Sequence, residues 1–85
     1  MASGQAIFVS RNQAMIVVQH DDGFAVIELL GGEGALEVGV AVRGDWNVSG
    51  SGTIRANGES YEVLFQGSWG SRDIAISIAR KSGGG

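Results

Sequence analysis

His20-Asp21-Asp22 is the one place in this chain where an imidazole and carboxylates meet. Such a cluster can coordinate a divalent cation or take up a proton as a general base. Followed by Gly23, it is also good hairpin-turn chemistry, with His20 as the last residue of a strand. A zinc site needs three or four protein ligands. The chain has one histidine and no cysteine, so the other ligands would have to be carboxylates from elsewhere. The turn reading takes precedence, and no metal or cofactor is expected. Nucleophilic catalysis has as little support. There is no G-x-S-x-G element, and so short a chain has little room for a substrate pocket beside its core. The glycine-rich Ser49–Thr53 stretch lacks the lysine and following helix of a phosphate-binding loop and reads as a flexible hairpin loop. The expectation is a protein that is not an enzyme.

Binding chemistry has better candidates. Trp69 sits among small residues in Gln66–Arg72, where an exposed indole would stack on a nucleobase and Arg72 would contact phosphate. The competing reading folds Trp69 back as a cap on the fold, and in so small a domain the cap is favoured. Trp46 shares parity with Val40 and Val42 and reads as core. Arg43 and Arg55 lie in neighbouring runs at outward positions. The expected nucleic-acid set is therefore Trp69, Arg72, Arg43 and Arg55. A net charge of −3 argues against a general nucleic-acid binder, which usually carries a basic excess.

The elements that must position these residues are short runs of β-branched and aromatic residues stopped by glycine or small polar clusters. Gln5–Ser10, Ala14–His20, Phe24–Leu30, Val38–Trp46, Thr53–Ala56, Tyr61–Gln66 and Asp73–Ala79 all have this form. Asp22-Gly23 and Asn57-Gly58 fall between runs, as tight hairpins require. No sustained helical period is present. With 85 residues, 44% hydrophobic and 18% charged, the chain reads as one all-β domain. The expected fold is a small antiparallel β-barrel of five to seven short strands with little or no helix, over residues 1–81. Residues 82–85 are read as a flexible glycine-rich tail. No segment is apolar for long enough to span a bilayer, and Met1–Gly4 lacks the features of a signal peptide, so a cytoplasmic location is expected.

Strand parity assigns an inward set of Ile7 or Phe8, Val17, Ile27, Leu29, Val40, Val42, Ile54, Val63, Phe65, Ile74, Ile76 and Ile78, and Val38 shares the inward parity of its run. The hairpin of the second and third runs is apolar on both faces, and one barrel interior can take only one of them. A second copy of the chain is the expected cover. The homodimer interface is then Met15, Val17, Phe24, Val26 and Leu30.

Leu36–Gly44, a glycine followed by a strand with alternate valines, resembles a segment of small nucleic-acid-binding barrels, including OB-fold and SH3-like modules. The opening meander Gln5–Leu30 is similar to the start of an OB-fold. Together these cover about half of the chain. The helix between the third and fourth OB strands has no counterpart, and neither does the aromatic-and-basic motif of cold-shock proteins. Phe24–Leu30 also resembles an element of short bacterial barrel proteins and brings no function with it. Glu62–Gly67 resembles the cleavage site of picornaviral 3C-type proteases, with Ser68 where the engineered site has proline, and reads as a coincidence within a strand. The expected function is a self-associating module that binds a protein partner, with weak single-stranded nucleic-acid binding as the alternative.

Overall fold

The computed structural model describes residues 2–32 and 34–82. Six strands form a closed antiparallel barrel: β1 (Ala2–Val9), β2 (Met15–His20), β3 (Gly23–Leu29), β4 (Ala41–Gly44), β5 (Gly50–Ala56) and β6 (Glu59–Trp69). One helix, α1 (Arg72–Ser82), follows. The order around the barrel is β1-β2-β3-β6-β5-β4, with β4 closing onto β1. Two three-stranded meanders, β1–β3 and β4–β6, thus join along β3–β6 and β1–β4. Ser82 belongs to α1, one residue beyond the expected domain boundary; the rest of the expected tail, Gly83–Gly85, lies outside the described residues.

The local chemistry explains the ladders. Asn57 and Gly58 both have positive φ (55° and 77°), the geometry that matches a two-residue turn to the twist of β5 and β6. At the other hairpin the turn is Asp21-Asp22, and Gly23 already pairs with His20. There glycine is needed for closeness, since a Cβ on Gly23 would lie 2.5 Å from the Trp69 carbonyl oxygen. The interior is filled by Ile16, Val18, Ile27, Leu29, Val42, Ile54, Val63 and Phe65, with Leu36 and Trp46 inserted from the connections. Trp46 meets Phe65 edge-on, with ring centroids 6.3 Å apart.

Several expectations are corrected. Asp73–Ala79 is helical, although Ile74, Ile76 and Ile78 alternate as a strand would. Ser71 caps the helix: its Oγ accepts the Ile74 N–H at 3.3 Å and its carbonyl accepts the Ala75 N–H at 3.1 Å. Asp73 near the start and Arg80 and Lys81 near the end suit the helix dipole. Ala75 and Ala79, one turn apart, are the fully buried contacts, while Ile74 is half exposed and Ile76 and Ile78 are half-buried. The helix has 11 residues, longer than a turn or two.

Val17 is buried but faces outward, since it pairs with Val26, and the inward residues of β2 are Ile16 and Val18. Neither Ile7 nor Phe8 points inward. A bulge between Ala6 and Phe8 sets both on the outer face and returns Val9 to the core. Val38 is exposed in a turn ahead of β4, because Gly39 adopts φ 100° and the Val40 N–H returns to the Glu37 carbonyl. The Ser49–Thr53 loop is mostly strand, with β5 beginning at Gly50; a Cβ on Gly52 would meet the Phe65 ring at 2.5 Å.

The apolar outer face of the β2–β3 hairpin is covered from within the chain. α1 lies across it, and Met15, Val17 and Val26 are buried against Ala75 and Ala79, with Phe24 partly buried beside them. Leu30 is exposed beyond the end of β3. The area argument for a second copy on this face is therefore answered by α1. Among the described residues no helix is long and apolar enough to cross a membrane.

Candidate binding surface

With α1 over the outside of β2 and β3, the outer wall formed by β1, β4, β5 and the start of β6 is left open. Its side chains follow from strand parity and register. Ser3 pairs with Arg43, Arg43 with Arg55, and Arg55 with Ser60. All four are exposed, so they form one outward row crossing four strands. At the usual spacing between strands the row is about 14 Å wide. The neighbouring positions are Gln5 paired with Ala41, and Thr53 paired with Glu62. The wall is thus made of hydroxyls, an amide, a small side chain and the Glu62 carboxylate around two guanidinium groups, and no outward aromatic belongs to these rows.

Two of the nearby acids, Asp45 and Glu59, have contacts of their own, while Glu62 lies in the wall itself, opposite Thr53. Asp45 Oδ1 accepts the Asn47 N–H at 3.4 Å. Glu59 Oε2 accepts the Tyr61 hydroxyl at 3.1 Å. Desolvation raises the Tyr61 pKa above its ordinary value, and the hydrogen bond to Glu59 and that carboxylate's charge push it the same way.

The structure divides the expected nucleic-acid set. Arg43 and Arg55 share the open wall. Trp69 ends β6 instead of sitting in a loop; it pairs with Phe24 and packs, partly buried, in the cluster beneath α1. Arg72 begins α1 on that same side. Another basic residue there, Arg80, is already placed over the Phe8 ring, 5.5 Å from its centroid. Trp69 and Arg72 therefore do not extend the arginine row. Ser3 and Ser60 are absent from the sequence-predicted set: the Asn57-Gly58 turn is the signal that sets Ser60 opposite Arg55, whereas nothing in the sequence marks Ser3, which meets Arg43 only across the β1–β4 ladder.

His20 sits at one mouth of the barrel. Its ring stacks on Trp46 (centroids 5.9 Å apart, planes inclined by 21°). Nδ1 accepts the Asp22 N–H at 3.3 Å, and Nε2 lies 2.7 Å from Ser68 Oγ. Which partner of that second contact donates depends on the ring tautomer. His20 thus ties the β2–β3 turn to β6 and to Trp46. Among the described residues no group of three or more histidine or carboxylate side chains is arranged to hold a metal ion. Comparison with protein-family models, curated proteins and solved structures finds no match to this chain.

Proposed function

We propose that this protein is a non-enzymatic interaction module, working in the cytoplasm, that docks a protein partner on the open wall of β1, β4, β5 and β6. The observation carrying this reading is the exposed row Ser3–Arg43–Arg55–Ser60 on the side of the barrel that α1 leaves uncovered. A rigid wall with paired guanidinium groups suits a partner that presents acidic chemistry. Single-stranded nucleic acid is the weaker reading, because the wall offers no aromatic on which a base could stack. Self-association through the hairpin loses its motive once α1 covers Met15, Val17 and Val26.

Photo-crosslinking in cells tests the docking face. A crosslinking residue at Gln5 and another at Thr53 should both capture the same protein, identified by mass spectrometry, while one at Ser77 on α1 should not. Adducts confined to Ser77, or a homodimer as the product, would overturn the reading.

A further inference from the structure

We infer that Arg43 and Arg55 form a site for a single phosphoryl group carried on a peptide segment of the protein partner. This rests on the open wall being the docking face. Register places the two arginines directly opposite one another on β4 and β5, both exposed. Like charges opposed across a ladder repel, so the row holds an electrostatic conflict that an anion would relieve. A phosphoserine or phosphothreonine carries roughly −1.5 to −2 charge near neutral pH, which matches two guanidinium groups. Guanidinium forks bind phosphate oxygens two at a time, and the short side chains of Ser3 and Ser60 flank the pair and leave the space above it open.

The surroundings limit the ligand to one phosphate. Glu62 lies two residues beyond Ser60 on β6, opposite Thr53, and Asp45 directly follows β4. These carboxylates and the net charge of −3 oppose a longer polyanion. The missing aromatic platform opposes one made of nucleotides. Both arginines stand on strands of the closed barrel, so a site here is held by the scaffold and not by a loop.

Amide NMR titrations of the full chain test the inference with four probes: a degenerate peptide library around a fixed phosphoserine, the same library with serine, inorganic phosphate, and oligothymidine. The phosphoserine library should shift Ser3, Arg43, Arg55 and Ser60 at concentrations at least about tenfold below those needed for the serine library or inorganic phosphate. Arg43→Ala and Arg55→Ala should each abolish that preference, and Arg55→Lys should keep part of it, since lysine retains the charge and loses the fork. Equal responses to both libraries overturn the phosphate site and leave the docking face standing. Oligothymidine acting at lower concentration, inorganic phosphate matching the library, or no response to any probe overturns the inference. Shifts confined to α1 remove the docking face as well.

Discussion

Around β2 and β3 the outward side chains include Met15, Val17 and Val26, buried beneath α1, whereas around β4 and β5 they include Ala41, Arg43, Thr53 and Arg55, all exposed. The two walls share one backbone plan, since each belongs to a three-stranded meander of the same barrel. They differ only in their alternate side chains. A strand apolar on both faces has to be covered on both, and here an amphipathic helix at the end of the chain supplies the cover. A strand with small and charged outer residues stays open to a ligand.

The largest effect should come from stripping the sealed wall. A chain ending at Ser71 uncovers Met15, Val17 and Val26, each worth roughly 1.5–3 kcal/mol when moved from burial to water. That sum is comparable with the whole stability of a small domain. The truncated chain should unfold or associate by light scattering, and a monomer with an unchanged urea midpoint would break the comparison.

A matched pair of substitutions comes next. Val26→Lys puts an ammonium group beneath α1 and should cost about 3 kcal/mol or more, because a buried unpaired charge has no compensation. Thr53→Lys on the open wall should stay within about 0.5 kcal/mol. Similar losses in urea denaturation would show that the walls are not different in kind. Ile54→Ala, in the interior, should cost about 2–5 kcal/mol. Ile74→Ala, on the exposed side of α1, should cost far less.

Relief of repulsion on the open wall is smaller and of opposite sign. Arg55→Thr should raise stability by about 0.2–1 kcal/mol at low salt. The gain should fade as ionic strength rises, and a loss would mean that the arginines are compensated within the chain.

The smallest effect is alkaline. Because the folded state holds the Tyr61 pKa above its ordinary value of 10.0, Tyr61 contributes stability that is fully present below that value and is lost as pH rises through the folded value. Urea midpoints measured across that range should fall, and Tyr61→Phe should remove this part of the fall.

Much of the barrel was legible because β-ladders are written in local alternation and turn chemistry. Val40 and Val42, Val63 and Phe65, and Asn57-Gly58 each carry their own signal. The two-faced hairpin was legible too, although its cover was not. Ile74, Ile76 and Ile78 imitate a strand, while the helical signals are sparser: Ser71 as a cap, Ala75 and Ala79 one turn apart, and charges placed for the dipole. Small alanines do not look like a core until the surface they close upon is known. The candidate site was half visible. Arg43 and Arg55 could be placed outward in neighbouring runs, and the Asn57-Gly58 turn already sets Ser60 opposite Arg55, but Ser3 joins them only through the pairing of β1 with β4 that closes the barrel.

β6 has one more consequence. Its Glu62–Gly67 segment resembles a protease recognition sequence, yet Glu62 to Phe65 are held between β5 on one edge and the end of β3 on the other, while Gln66 falls at the β3–β6 bulge and Gly67 pairs with Val26 alone. Proteases nick most readily where the backbone is loose and accessible, as at loop tips. A linear motif with four of its six residues locked between two strands cannot lie extended in a protease cleft for as long as those ladders hold. The segment is thus a built-in timer: a 3C-type protease should cut it only in molecules whose β6 has come free. When opening and closing are fast, the cleavage rate then reports the population of that open form.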